Sequence, residues 1–348
     1  MIAKTIEKYI KLLPERDAEI LKLRFGLGDE GPYSLQKIGS KYGITRERVR
    51  QVQNESINKI KEAILNDEKL NKVIILGKKL IKQTNGFSDL DLEKQISQDF
   101  GSGTKENHIR FILILDPEIK LEGKDDFHER FYVIKEKKSK IKDFFHSIAK
   151  ELHGQKLDYE KFKDKILSFF NKKLKEDLNE KSFTKILKIS KKIWLNPFNE
   201  GGHEENFYIA PKNTKHRILT VFHYHKKPLH FREIHEMLKK VREKFHELIH
   251  PSWNKITKLE TIHNELIRHP DFVLVGRGLY ALSNWGYSGK TVEELILEYL
   301  SNVKKPVKRD DVINYVLSKK IVKPSGVSIV LYRLKGKVKF LENGMVSL

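Results

Sequence analysis

The stretch SLQKIGSKYGITRERVRQ, residues 34–51, contains two short helical patterns separated by a glycine. Ser34 is a favourable N-cap for the first helix, and Gly43 lies where helices commonly end in the left-handed conformation. Thr45 can cap a second helix that begins at Arg46. Two short helices joined by a glycine turn are typical of the helix-turn-helix motif, so the stretch predicts one.

Apolar residues in and around this stretch have the spacing that packed helices need. The segment LPERDAEILKLRFGLG, residues 13–28, adds a preceding helix that we expect to stop at Gly26 and Gly28. Ile44 is expected to reach the core from the turn. The predicted buried faces contain Leu35, Ile38 and Tyr42 in the first helix and Val49, Val52, Ile57 and Ile60 in the second.

The first turn of the second helix has the side chains that read DNA. In a helix-turn-helix this turn enters the major groove. Arginine can bind guanine through two hydrogen bonds, glutamine can pair with adenine, and glutamate can accept from cytosine. The residues concerned are Arg46, Glu47, Arg48, Arg50 and Gln51. The alternative interpretation is a solvated helix face held by charge pairs.

Residues 13–62 resemble region four of the bacterial primary sigma factors, which binds promoter DNA and the flap of RNA polymerase. The matching pieces are LPERDAEILKLRFGLG, SLQKIGSKYGITRERVRQ and NESINKIKE, in a specific order and spacing. They cover about one sixth of the 348 residues. A working sigma factor also carries region two, whose aromatic-rich helix opens promoter DNA, and we find no counterpart of it in the sequence.

The resemblance implies double-stranded DNA and RNA polymerase as partners and assigns roles to single residues. Those expected to face bases are Arg46, Glu47 and Gln51, and those expected to contact bases or phosphates are Arg48 and Arg50. Residues expected along the DNA backbone are Arg24, Ser34 and Leu35, and the capping Thr45 completes the predicted DNA-binding set.

The charge of the whole chain favours the same class of partner. Lysine and arginine total 68 against 47 acidic residues, so the net charge is +21. Such an excess attracts polyanions, with nucleic acid the commonest and acidic membrane the next candidate. No run approaches the roughly 20 apolar residues of a membrane span, and the N-terminus is amphipathic rather than signal-like. We therefore expect a cytoplasmic, nucleoid-associated protein.

The remainder of the chain contains four β-rich stretches that each read as a hairpin, because two apolar segments flank a polar turn. They are residues 116–134, 191–210, 269–283 and 335–348. A helical block precedes each, and in two of them the helices are separated by KKP, as in HRILTVFHYHKKPLHFREIHEML. The spacing of about 65 to 76 residues matches a winged helix, which has three helices and a two-stranded wing.

The predicted fold class is therefore mainly α with small β-hairpin wings. An N-terminal helix-turn-helix bundle is followed by tandem winged-helix-like units. The predicted domains are residues 1–66, 69–134, 140–210, 213–286 and 290–348.

Residues 213–286 resemble the HARE helix-turn-helix, a winged-helix module also found in the delta subunit of bacterial RNA polymerase. The resemblance rests on KKPLHFREIHEMLKK and TIHNELIRHPDFVLVGRGLYALSNWGY. It implies a role with nucleic acid or polymerase, because members use the fold for either DNA or protein. Possible secondary DNA contacts are Thr261, His263, Asn264 and Arg268 on the third helix and Arg277 in the wing. The alternative is a solvated polar face.

Motifs for catalysis and metal binding are weak. HELIH, residues 246–250, fits the zinc-protease pattern H-E-x-x-H, but Pro251 follows directly and is expected to end the helix. GSGT, residues 101–104, lacks the lysine and spacing of a phosphate loop. The chain has no cysteine, which excludes disulfides, thiolate zinc sites and cysteine nucleophiles. We expect no enzyme activity, catalytic residue, metal, cofactor or small-molecule ligand.

The sequence thus favours a sequence-specific DNA-binding transcription regulator that acts at promoters with RNA polymerase. One alternative is a sigma-like factor that takes part directly in initiation. Another is a protein-interaction scaffold bound to polymerase. A third, a metal-dependent hydrolase, would rest on HELIH alone.

Overall fold

The N-terminal region forms four helices. The structure is a computed structural model that describes residues 2–101 and 103–348. The helices are α1 (Ile2–Ile10), α2 (Glu15–Phe25), α3 (Leu35–Tyr42) and α4 (Arg46–Asn66). Ser34 caps α3 by accepting from the Lys37 N–H, and Thr45 caps α4 by accepting from the Arg48 N–H. The predicted caps of the helix-turn-helix are confirmed.

Glycines end α2 and α3 as the sequence predicts. Gly26 has φ of 65° and Gly43 has φ of 66°, both in the left-handed region that favours glycine. A third glycine, Gly39, lies inside α3 for a different reason. A Cβ at this position would lie 2.6 Å from the carbonyl oxygen of Ile44. The absence of a side chain at Gly39 therefore lets the turn fold back against α3.

Helix α4 contributes to two hydrophobic cores. Val49 and Val52 join Ile38 of α3 in a small core under the turn. Further along, Ile60 and Ile64 join a larger core that includes α1 and the segment that follows α4. Ile57, predicted for the buried face, packs against this larger core without being fully buried. Ser56 takes the buried position and Ile57 is half-buried, because the buried positions advance by four residues there.

The rest of the chain repeats one order of elements four times: helix, strand, helix, helix, strand, strand. The first repeat contains α5 (Glu68–Lys82), β1 (Phe87–Ser88), α6 (Asp91–Asp99), α7 (Glu106–Leu115), β2 (Ile119–Glu122) and β3 (Phe131–Ile134). The second contains α8 (Lys138–Glu151), β4 (Lys156–Asp158), α9 (Tyr159–Leu174), α10 (Glu180–Ile189), β5 (Ile193–Leu195) and β6 (Glu200–His203).

The last two repeats have the same order. The third contains α11 (Thr214–His225), β7 (Leu229–His230), α12 (Phe231–Glu243), α13 (Leu259–Arg268), β8 (Phe272–Gly276) and β9 (Leu279–Leu282). The fourth contains α14 (Val292–Val303), β10 (Val307–Lys308), α15 (Arg309–Lys319), α16 (Pro324–Arg333), β11 (Lys339–Phe340) and β12 (Met345–Ser347). In each repeat the last strand lies between the other two in a small sheet.

The sequence missed the first strand of each repeat, because each has only two or three residues. It also placed one hairpin wrongly. Within 191–210 the second strand is β6 (Glu200–His203), and the apolar residues 207–210 lie outside any strand. Ile209 and Ala210 are buried, and the carbonyl of Ile209 accepts from the indole N–H of Trp253. Burial rather than strand pairing therefore explains their apolar character.

Residues 246–250, HELIH, lie outside any helix, and the helix before them, α12, ends at Glu243. The helix-based zinc-protease pattern, which needs two histidines one turn apart on a helix, is therefore absent at residues 246–250. Ser102 of the GSGT stretch lies outside the described residues.

The chain divides into two compact units. The first contains the residues up to Trp194 together with Gly201–Glu204, and the second contains Leu195–Glu200 and Glu205–Leu348. The helix-turn-helix and the first two repeats therefore share one unit, and the last two repeats share the other. Among the described residues, none of the helices has the length and apolar character needed to cross a membrane.

Substitution of Gly39 tests the close approach in the turn. Gly39→Ala should destabilise the α3–α4 region by about 1–3 kcal/mol, because the added methyl meets a backbone oxygen that cannot rotate away. Hydrogen exchange followed by mass spectrometry should show faster exchange in these helices. The control is Gly326→Ala in the first turn of α16, where an added Cβ meets nothing within 4 Å. Equal protection of α3 and α4 in Gly39→Ala and the unsubstituted chain would contradict the account.

Candidate nucleic-acid interface

The first turn of α4 presents a polar, exposed face. Arg46, Glu47, Arg48, Arg50 and Gln51 are all exposed, whereas Val49 in their midst is fully buried. The helical period produces this division, because the residues that flank Val49 point away from the core. The structure therefore brings all five residues predicted to read DNA onto the accessible side of one helix end.

Four of these five side chains form two separate hydrogen-bonded pairs. The Arg50 guanidinium donates to the Glu47 carboxylate through two nitrogens, with distances of 2.9 and 2.6 Å to its two oxygens. Arg48 donates to the Gln51 side-chain oxygen over 3.2 Å. Arg46 makes no side-chain hydrogen bond within the part of the chain that the structure describes. The charge pairs considered as an alternative interpretation are thus present, on the same face as the candidate base contacts.

The Glu47–Arg50 pair fixes the charge of both groups. The hydrogen bond from Arg50 lowers the pKa of Glu47, and the same bond raises the pKa of Arg50. Both side chains are more than half exposed, and exposed ion pairs are weak in water. The pair can therefore open at little cost when a phosphate or a base offers a competing partner.

Arg24 is turned inward and links three segments. Its Nε donates to the Gln53 side chain of α4 over 3.0 Å, and one of its terminal nitrogens donates to the Tyr33 carbonyl over 3.0 Å. Burial lowers the pKa of Arg24, and the positive charge of Arg130 lowers it further. Arg24 thus braces α2 against α4 and the loop that leads to α3.

The other three residues predicted along the DNA backbone or at the helix start have structural contacts of their own. Ser34 and Thr45 are exposed and use their hydroxyl oxygens as helix caps. Leu35 is half-buried against the small core under the turn. These side chains position the first turn of α4, and their contact with DNA stays a prediction.

A basic cleft lies beside this region and was not found from the sequence. Its volume is about 490 Å³, and its lining includes three arginines, one glutamate and residues 32–34 before α3: Arg24, Arg110, Arg130 and Glu122. Arg110 is neutralised by two hydrogen bonds, of 2.8 and 2.6 Å, to the buried carboxylate of Glu93. Arg130 is exposed and has no side-chain hydrogen bond within the described residues. It supplies an available positive charge here, and its distance in sequence from residues 34–51 explains why it was missed.

The second predicted site lies on α13 and in the hairpin after it. Thr261, Asn264 and Arg268 are exposed on α13, and Arg277 is exposed between β8 and β9. His263 differs because it is half-buried, with its ring 4.7 Å from that of Phe231. The structure therefore leaves three of the four predicted residues of α13 free to meet a partner.

Comparison with known proteins gives one clear likeness, at the N-terminus. Residues 9–62 match the family described as Sigma-70, region 4. The chain is similar to RNA polymerase sigma factor SigA of Bacillus sp., with 34% identity over 61 residues. This match covers 18% of the chain and only 16% of the sigma factor, so the likeness is confined to one region of each protein. No solved structure matches the chain.

The cap of α4 can be tested separately from DNA contact. Thr45→Ala should lower the free energy of unfolding of the α4 start by about 1 kcal/mol, because the Arg48 N–H loses its acceptor. Thr45→Ser keeps the hydroxyl and serves as the matched control. Hydrogen exchange at the first-turn amides should rise in the alanine variant and stay unchanged in the serine variant. If the two variants exchange alike, the cap does not hold this turn.

Proposed function

We propose that the protein is a sequence-specific DNA-binding transcription regulator that acts at promoters together with RNA polymerase. The observation that carries the proposal is the exposed first turn of α4, with three arginines and a glutamine on one capped helix end, inside the segment that matches Sigma-70, region 4. The similar protein from Bacillus sp. is an RNA polymerase sigma factor, which motivates polymerase as a partner.

Base reading is assigned to the side chains that can leave their present partners. Arg46 has no hydrogen bond to lose among the described residues, so it is the first candidate for a guanine contact. Gln51 can exchange its bond from Arg48 for a paired contact with adenine. Glu47 is committed to Arg50 in the free protein, so its contact with a base requires that pair to open.

Phosphate binding is assigned to the basic surface around the same turn. Arg48 and Arg50 lie at the helix end, and Arg130 adds a charge on the rim of the neighbouring cleft. The net charge of +21 strengthens attraction to any polyanion, independently of sequence. Such contacts hold the protein in register while the first turn of α4 selects the sequence.

The four repeats are proposed to be winged helices, and the third to be of the HARE type. Support comes from the recurring order of three helices and three strands with the last strand in the middle. On this proposal, the chain presents one region-four-like reader and four further modules of about the same size. These modules supply additional contacts to DNA or to polymerase.

Substitutions in the first turn of α4 test the proposed base reading. Arg46→Ala or Gln51→Ala should weaken specific binding by about 1–3 kcal/mol and relax the preference at one base position. The matched control is Arg16→Ala on α2, whose side chain is 57% exposed and is paired only loosely with Asp17. It removes one positive charge and should leave the base preference unchanged. Fluorescence anisotropy with a bound duplex and its single-base variants gives both quantities.

Unchanged affinity together with unchanged base preference in Arg46→Ala and Gln51→Ala would contradict the proposal. A uniform loss across all duplexes would show that these residues contact phosphates only.

A second candidate function, a protein-interaction scaffold on polymerase, is favoured by apolar exposure in the third repeat. Ile267 on α13 is 64% exposed and Leu274 on β8 is 45% exposed, beside the polar residues of the second predicted site. Exposed aliphatic side chains of this kind suit a protein partner better than a phosphate backbone.

The salt dependence of binding to random duplex DNA separates the two uses of the third repeat. If Arg268 and Arg277 contact phosphates, the double variant Arg268→Ala, Arg277→Ala should reduce the slope of log affinity against log salt by about 2. An unchanged slope would assign this surface to a protein partner and leave DNA binding to α4.

A further inference from the structure

Three potential metal ligands meet where the first repeat contacts the second. Asp125 and His128 lie in the loop between β2 and β3, and His146 lies on α8. One ligand atom from each of the three lies within 4.8 Å of the others. We call these residues the Asp125 cluster. Nothing in the sequence spacing marks it, because the third ligand comes from another element 18 residues after His128.

The two oxygens of the Asp125 carboxylate have different partners. Its Oδ1 accepts from the backbone N–H of Phe127 over 2.8 Å and from that of His128 over 3.0 Å, which fixes the loop. Its Oδ2 points to the histidines, at 2.9 Å from His146 Nε2 and 3.1 Å from His128 Nε2. One oxygen is thus used for the fold and the other is held toward the two imidazole rings.

Only one of the two ring nitrogens of His128 makes a hydrogen bond. Its side chain is completely buried, and Nδ1 lies 3.0 Å from the Glu129 carbonyl, to which it donates. With Nδ1 donating to this carbonyl, Nε2 is the ring nitrogen that can offer a lone pair to a metal ion. Nε2 is buried and makes no hydrogen bond, although Asp125 Oδ2 is close. A bare nitrogen lone pair is repelled by a carboxylate oxygen 3.1 Å away, and either a proton or a metal ion between the two atoms removes this repulsion.

The surroundings hold the ligands without covering the cluster. The Phe127 ring lies against the His146 ring, with centroids 4.4 Å apart. The Lys191 ammonium donates to the Asp125 backbone carbonyl over 2.6 Å, so its charge is bound outside the carboxylate. The side chains of Asp125 and His146 remain 28% and 34% exposed. The cluster is therefore accessible from solvent.

We propose that Asp125, His128 and His146 bind a divalent transition-metal ion, with zinc as the first candidate. Two imidazoles and one carboxylate are a common ligand set for zinc and for iron(II), with one or more positions left open. Tetrahedral ligands at about 2.1 Å from zinc lie about 3.4 Å from each other. Asp125 Oδ2 lies 2.9 and 3.1 Å from the two histidine nitrogens, so a small outward movement of the ligands would admit the ion. The ion joins the hairpin loop of the first repeat to the first helix of the second.

The loop between β2 and β3 already binds the second repeat through backbone hydrogen bonds. A metal ion here would therefore link two segments that are already in contact. Glu129 N–H donates to the Ile189 carbonyl over 2.8 Å, and Lys191 N–H donates to the Phe127 carbonyl over 2.9 Å. Metal binding would add a coordination link to the backbone and side-chain hydrogen bonds that already join the two repeats. The proposal is independent of DNA binding, because no residue of the α4 face takes part.

Zinc titration of the chelator-treated full-length protein, followed by isothermal calorimetry, tests the site. We expect one saturable zinc per chain. Asp125→Asn keeps the oxygen that fixes the loop but loses the charge, and His146→Phe keeps a ring against Phe127 but loses the ligand nitrogen. Each should weaken zinc binding at least about 100-fold. The control His246→Gln removes the first histidine of HELIH and should bind zinc as the unsubstituted chain does.

Absence of saturable zinc binding would overturn the proposal, as would unchanged affinity in both Asp125→Asn and His146→Phe. X-ray absorption of the zinc-loaded, unsubstituted protein gives a second readout that does not depend on how the variants fold. It should show two imidazole ligands at about 2.0 Å. A coordination shell without imidazole would contradict the assignment.

Discussion

Helix α4 belongs to two hydrophobic cores at once, and this packing holds its exposed first turn in place. Its first half packs with α2 and α3 through Val49 and Val52, and its second half packs with α1 and the first repeat through Ile60 and Ile64. Even a helix of 21 residues such as α4 gains most of its stability in a protein from packing rather than from helix propensity. The second core supplies the anchor, so the exposed first turn can be polar throughout.

Packing of α4 in both cores fixes its first turn relative to the first repeat. The basic cleft with Arg130 and the first turn of α4 lie on elements of the same compact unit, joined through the shared core. Asp125 and His128 lie in the same loop between β2 and β3 as Arg130, and on the proposal above they would join the first repeat to the second through a metal ion. The proposed base contacts, phosphate contact and metal site all lie within one compact unit.

Much of the N-terminal region could be predicted from the sequence, because its signals are local. Caps at Ser34 and Thr45 and the left-handed Gly43 depend on neighbouring residues only, and all are found as expected. The prediction of a mainly helical chain with small antiparallel sheets is likewise confirmed. The site was predicted as a set of exposed residues, and the first turn of α4 agrees with this.

What the sequence could not provide depends on contacts between distant segments. Arg24 was assigned to the DNA backbone, but its guanidinium is held by Gln53 and the Tyr33 carbonyl, which only the folded chain brings near. Arg130 and the Asp125 cluster were missed for the same reason. The two-residue strands β1, β7 and β10 carry no alternation that could be recognised, since a strand pattern needs several residues.

On the proposed function, the first turn of α4 reads a DNA sequence without help from polymerase. Selection of bound duplexes from a random pool by the full-length protein, with and without RNA polymerase, tests it most directly. We expect one short motif to be enriched without polymerase, and Gln51→Ala to lose the preference at one position of it. Recovery of unselected sequences without polymerase, with a motif appearing only in its presence, would contradict an autonomous reader and favour a sigma-like role in initiation.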